Sequence, residues 1–214
     1  MKNDDQICIL CRGSSMSHAE NYFHDLNDDM IIVNEFNDEL KNNFVDELFK
    51  KKNITHIVSR DTGLSNLRPE YYRKYGINKA ILNIFKEEYN NYPSMRRLLE
   101  HYELTTSCLP DIMKPFQKEG GGFPTTGVIS IVYSTVALGK KDIHIAGMDF
   151  YERDYFNNTP ANDHQKKKGI LMKQFIKDFM GKHQNINYTF YTDSGFNPDL
   201  ENVKIINKLY GEEN

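Results

Sequence analysis

An α/β fold, with a mostly parallel sheet and helices on both faces, is the class this sequence predicts, and three observations carry that expectation. Short runs rich in Ile, Val and Leu recur along the chain, each of strand length. Longer stretches with apolar residues at helical spacing lie between them. The two kinds alternate in order, and a parallel pair of strands needs a crossover connection, usually a helix. With 214 residues, 39% hydrophobic and 27% charged, the chain has material for one ordinary core. A formal charge of −3 argues against a dedicated nucleic-acid binder. No run approaches the roughly 20 apolar residues of a membrane span, and the acidic start lacks the basic flank of an export signal.

The first strand is expected over residues 7–10 (ICIL) and the second over 30–33 (MIIV). A helix follows in NDELKNNFVDELFKKK, where Leu40, Phe44, Val45, Leu48 and Phe49 form one stripe and lysines gather at the C-terminal end, as the helix dipole favours. Residues 55–59 (THIVS) read as a third strand. A nearly all-apolar helix is expected over 126–138, stopped by Gly139. A strand at 142–146 (DIHIA), a helix over 163–180 closed by Gly181, and a strand at 187–191 (NYTFY) complete the pattern. The whole reads as a single Rossmann-like domain.

Residues 60–122 fit that pattern least. They are rich in Tyr, Asn and Arg and broken by Pro69, Pro93, Pro110 and Pro115, and are expected as an irregular helical insert on one edge of the sheet. Cys8 and Cys11 have the C-x-x-C spacing of redox and zinc sites. Within a strand, side chains three apart point to opposite faces, so neither chemistry fits. Cys108 brings no second pair. Buried, reduced cysteines in a reducing compartment are the expectation.

In a parallel sheet ligands bind beyond the carboxyl ends of the strands, so the loops there are the candidates. After strand one, Gly13, Ser14 and Ser15 precede a helix whose free amides suit a phosphate; a plain serine cap has the same look. After strand two, Asn34 can bond a base or sugar, or cap a helix. Gly120, Gly121 and Gly122 read as a close-approach loop or a linker, and Thr125, Thr126 and Gly127 open the apolar helix as an anion or ribose site. After the 142–146 strand come Tyr151 and Tyr155, two hydroxyl donors, then Asp163 and His164, a base or merely a helix start. No Asp-x-Asp pair points to a metal, and Lys166, Lys167 and Lys168 read as a solvated helix face.

The run TTGVISIVYSTVALGKKDIHIAGMDFYE, Thr125 to Glu152, resembles the bacterial sialyltransferases of glycosyltransferase family 42. The likeness lies in the helix opening, the Ala-Leu-Gly turn, the strand and the Gly-x-Asp-Phe-Tyr that follows. Asn34 in VNEF is similar to that family's Asn after its second strand. Asn162-Asp163-His164-Gln165, followed by lysines, is similar to the segment that carries its catalytic histidine. The resemblance spans roughly residues 7–191. It departs in the first loop, where the family has Gly-Asn-Gly-Pro-Ser and this chain has Cys11-Arg12-Gly13-Ser14-Ser15.

The resemblance implies a GT-A-like variant of the Rossmann-like fold and an inverting transfer without metal or other cofactor. Sialic acid, or a related 3-deoxy-ulosonic acid, would pass from a CMP-activated donor to a sugar hydroxyl of a cell-surface glycan, as in lipooligosaccharide biosynthesis. It assigns His164 as the base and Tyr151 and Tyr155 as donors to the leaving phosphate. Gly13, Ser14, Ser15, Asn34, Thr125, Thr126 and Gly127 would hold the donor. A cytoplasmic enzyme at the inner face of the membrane is implied, without a spanning segment or nucleic-acid partner, and compatible with a homo-oligomer. Two alternatives stand beside this expectation: a pterin diphosphokinase-like transferase using ATP and Mg²⁺, and a non-catalytic nucleotide-binding module.

Overall fold

The computed structural model describes residues 4–34, 36, 38–59, 69–77, 79–83, 105–108 and 124–207. Its centre is β1 (Gln6–Leu10), which pairs with β2 (Asp29–Val33) on one side and β6 (Asp142–Ala146) on the other. Outward from β2 lie β3 (Asn53–Ser59), β4 (Lys79–Asn83) and β5 (Thr105–Cys108); outward from β6 lie β7 (Asn187–Tyr191) and β8 (Val203–Ile206). Each of these neighbouring pairs is parallel. The result is the expected α/β class, a Rossmann-like sheet with helices around it.

Alternation along the strands splits the core in two. Ile7 and Ile9 of β1, Ile31 and Val33 of β2 and Ile143 and Ile145 of β6 bury one face. Against it pack α4 (Thr126–Val132), through Val128 and Ile131, and α5 (Asp163–Lys182), through Met172, Ile176 and Phe179. Cys8, Leu10, Met30 and Ile32 bury the other face. There it meets α1 (Ala19–Tyr22), α2 (Asn43–Lys51), with Phe44, Val45, Leu48 and Phe49, and α3 (Pro69–Tyr75). Cys8 and Cys11 are buried on opposite faces, as strand geometry requires, and burial drives both thiols far up from their ordinary pKa, Cys8 to about 12. All seven residues of α4 are buried, which explains why its sequence is apolar or small on every side.

Four expectations change. The 60–122 stretch is not only helical: β4 and β5 extend the sheet beyond β3, with α3 as the crossover before β4. Residues 84–104 and 109–123, including Gly120, Gly121 and Gly122, lie outside the described residues, as does Glu35. The apolar helix is α-helical only to Val132 and widens into a π-turn over Tyr133–Ala137 before Gly139 ends it at φ +63°. Gly181 does not close α5, which runs on to Lys182. The strand β8 gave no clear signal, because it is only four residues long, carries Lys204 within it and lies on the sheet edge. No helix among the described residues is long and apolar enough to cross a membrane.

Candidate functional site

Strand order reverses between β1 and β6: from β1 the chain builds the sheet one way to β5, then returns to the far side of β1. At such a switch point the loops leaving adjacent strands diverge and open a crevice. A cavity lies there, lined by Arg12 and Gly13 after β1, Asn34 after β2, Thr125–Gly127 at the start of α4, and Asp149–Tyr151 and Arg153–Tyr155 after β6.

Close backbone contact seals its floor. Cys11 and Gly13 donate from their amides to the carbonyls of Ala146 and Gly147, both at 2.8 Å. A Cβ on Gly13 would stand 2.5 Å from Asp149 Oδ2 and 2.6 Å from the Gly147 oxygen, so only glycine fits. Across this seam Asp149, 3% exposed, accepts from the Ser15 amide at 2.9 Å, the Ser15 hydroxyl, the Ser14 hydroxyl at 3.3 Å and Thr192 at 2.8 Å. Ser14 and Ser15 thus face Asp149 and are absent from the cavity lining. Their carboxylate ties the loops after β1, β6 and β7 together.

On the β2 side, Asn34 sits in the left-handed region at φ +57°, which Asn tolerates better than most residues. Its Oδ1 accepts from Thr126 Oγ1 at 3.0 Å, joining β2 to the start of α4, while Thr125 caps that helix. The Asn34 carbonyl accepts from Nε2 of His56, whose Nδ1 lies 2.8 Å from the Tyr72 hydroxyl. An Nε2–H donating to a carbonyl leaves Nδ1 as the acceptor of the neutral ring, so Tyr72 donates. Burial agrees, lowering the His56 pKa to about 4. A Cβ on Gly127 would meet Met148 Cε at 2.6 Å, which shows how closely α4 approaches the β6 loop.

The two tyrosines come from a strained turn. Phe150 and Tyr151 hold φ of +50° and +63°, a conformation that costs ~1–3 kcal/mol per non-glycine residue. Gly169 of α5 accommodates it, since a Cβ there would stand 1.9 Å from the Phe150 oxygen. The loop then folds back on the first loop: Phe156 N donates to Arg12 O at 2.9 Å and Ser14 N to Asp154 O at 3.1 Å. Tyr151 and Tyr155 meet edge to face with ring centroids 6.2 Å apart. Burial pushes both phenols up, so both remain protonated donors near neutral pH.

His164 stands elsewhere. It is exposed in the first turn of α5 and does not line the cavity. Its neighbour Gln165 completes a capping box with Asn162, each bond 2.9 Å, and donates to Tyr155 Oη at 3.1 Å. The fold therefore gathers Gly13, Asn34, Thr125, Thr126, Gly127, Tyr151 and Tyr155 into one cavity, with Ser14 and Ser15 beneath it and His164 outside. Sequence reasoning placed Arg153 and Asp154 in a candidate loop and Asp149 in the Gly-x-Asp-Phe-Tyr run but gave none of them a role, and it passed over His56. His56 had one legible signal, a polar side chain inside a buried apolar strand. Among the described residues no group of three His, Cys, Asp or Glu side chains is placed to hold a metal ion. No protein-family model matches the chain, and no curated protein matches it.

Proposed function

We propose that this chain is an inverting glycosyltransferase that moves a sialic acid, or a related 3-deoxy-ulosonic acid, from a CMP-activated donor to a sugar hydroxyl. The observation that carries the reading is the pair of protonated phenols, Tyr151 and Tyr155, that line the switch-point cavity together with Asn34 and Thr126. In the transfer, the bond between the anomeric carbon and the CMP phosphate breaks as the acceptor oxygen bonds to that carbon from the opposite side. The electron pair of the broken bond stays on the phosphate, and CMP leaves. Charge grows on that phosphate, and phenol donors aimed at it stabilise the transition state. Tyr155 already accepts from Gln165, so its own proton is left to donate.

The acceptor hydroxyl must lose its proton. An imidazole is the commonest general base, and His164 stands one residue from Gln165, which reaches Tyr155. The Asp154 carboxylate is the second reading for the base, because Asp154 lines the cavity and His164 does not. Transfer from CMP-N-acetylneuraminate to a galactoside tests both. His164→Ala is expected to lower turnover by about 10²–10⁴-fold with CMP affinity unchanged. If that variant transfers normally and Asp154→Asn does not, the base is Asp154. If the wild-type protein binds ATP with Mg²⁺ and ignores CMP, the sialyltransferase reading is wrong and the diphosphokinase alternative takes its place.

A further inference from the structure

We infer that the exposed side of α5, where Ile170 and Leu171 stand beside Lys166 and Lys167, docks on an anionic lipid surface. The inference goes beyond the transferase reading and does not depend on it. Ile170 is 71% exposed and Leu171 49%, more than any other large apolar side chain among the described residues. They are consecutive, so they form one patch. The residues on either side, Gly169 and Met172, are buried, and a Cβ on Gly169 would meet the Phe150 carbonyl, so the pair sits on a firmly seated turn of helix. The opposite side of α5 packs on the sheet through Met172, Ile176 and Phe179. No rotation of the helix covers Ile170 and Leu171 without exposing that core.

Charge around the patch decides its partner. Neighbours on a helix surface stand three or four positions apart. Within that reach of Ile170 and Leu171 lie Lys166, Lys167, Lys168 and Lys173 and no acidic residue of α5. Asp163 and Asp178 stand two turns away at either end. Lys173 pairs with Glu152, whereas Lys166 and Lys167 are exposed and in no ion pair among the described residues. Helix stability does not account for them. Cations favour the last turn of a helix, where α2 has Lys50 and Lys51, yet Lys166 and Lys167 lie within the first two turns of α5. The chain as a whole carries −3, so this patch opposes the sign of the molecule. Apolar side chains bordered by lysines seat in the interface of an anionic bilayer, the apolar atoms at the acyl boundary and the ammonium groups on phosphates. A second copy laid on the patch would set lysine against lysine. Gln165, which reaches Tyr155, precedes Leu171 by roughly 9 Å along the helix axis, so docking brings the loop that carries both tyrosines near the lipid.

Flotation of the full chain with vesicles tests the inference, using phosphatidylcholine alone and phosphatidylcholine mixed with phosphatidylglycerol. Neither vesicle carries CMP or a sugar, so the result is independent of the transferase reading. Wild type is expected to bind the anionic vesicles at least about tenfold more tightly than the neutral ones. Added salt should weaken that binding, because it screens the lysines from the charged surface. Lys166→Glu combined with Lys167→Glu should lower affinity for anionic vesicles at least about tenfold. Ile170→Gln combined with Leu171→Gln leaves every charge in place and should also lower it, through the lost apolar contact. Glutamate and glutamine are good helix formers and the four side chains are exposed, so circular dichroism of both variants should match wild type. Wild type that binds neither vesicle, or binds both equally, overturns the inference. So does either double variant, folded, that binds as wild type does. If wild type self-associates in sedimentation velocity without binding vesicles, and the Ile170→Gln, Leu171→Gln variant stays monomeric, a second copy covers the patch and the lipid assignment falls.

Discussion

At the scale of single residues, the hydrogen-bonded line from Tyr72 through His56 to Asn34 and Thr126 fixes one wall of the cavity. Its middle member is a buried neutral imidazole with a pKa near 4, against about 6.5 in the unfolded chain. Between those values the unfolded chain binds more protons than the folded one. The contribution of His56 is therefore complete above about pH 6.5 and is lost as the pH falls toward 4. That loss approaches about 3 kcal/mol over the whole interval. Urea unfolding from pH 7.5 to 4 should show it, and His56→Gln should flatten the slope; an unchanged slope in the variant assigns the dependence to other groups. Tyr151 acts at the opposite wall. Tyr151→Phe removes one phenol donor and should lower transfer by about 10²–10³-fold, measured as kcat with CMP-N-acetylneuraminate. A variant at full activity would remove that phenol from the leaving-group site.

Among the elements, α5 does more than cover the sheet. Its capping residue Gln165 supports Tyr155, and Gly169, one turn further on, seats the left-handed Phe150–Tyr151 turn. An alanine in place of glycine inside a helix ordinarily stabilises it by roughly 1 kcal/mol. Here the sign should reverse, because the new methyl meets a backbone carbonyl rather than a movable side chain. Gly169→Ala should lower stability by about 1–3 kcal/mol, and Tm by about 2–4 °C for each of those. It should also disturb transfer by displacing Tyr151. A Tm at or above wild type, read by differential scanning calorimetry, would show that α5 is not seated on the turn. The helix itself was legible, since Ile170, Leu171, Gln174, Phe175, Ile176 and Phe179 read as one stripe, but Ile170 and Leu171 are exposed and the buried face runs through Met172, Ile176 and Phe179 instead. Its partner turn was not, because a left-handed Phe–Tyr pair has no local sequence signature.

For the molecule as a whole, the cavity joins loops from β1, β2 and β6 and the start of α4, so a ligand there binds the folded state alone. CMP at a hundred times its Kd should add about 2.7 kcal/mol. For a chain of this size that is a Tm increase of about 5–10 °C. The shift should survive EDTA, because the donors assigned to the phosphate are phenols. A shift that appears only with Mg²⁺, or only with UDP or ATP, sinks the cytidine assignment.

What the sequence by itself determined is whatever rests on local pattern. Five strands fall where short apolar runs placed them, α2 follows its stripe, and α5 forms over the expected residues though Ile170 and Leu171 of its stripe are exposed, because burial of one face imposes a period readable in a dozen residues. The order of the loops that build the cavity was legible for the same reason: Gly13, Asn34, Thr126 and Tyr151 each follow, or open, such an element. The strands β4, β5 and β8 were hidden, since edge and near-edge strands need less apolar sequence and find their pairing only against a formed neighbour. Tertiary structure alone decided that Ser14 and Ser15 turn to Asp149, that His164 stands outside the cavity, and that Arg12 is held by Glu39. The first and last of those outcomes depend on a partner distant in the chain, 135 residues away for Ser14 and 27 for Arg12. A hydrogen bond or ion pair carries no periodicity to announce it, and only the packed sheet brings its two halves within 3 Å or so of each other.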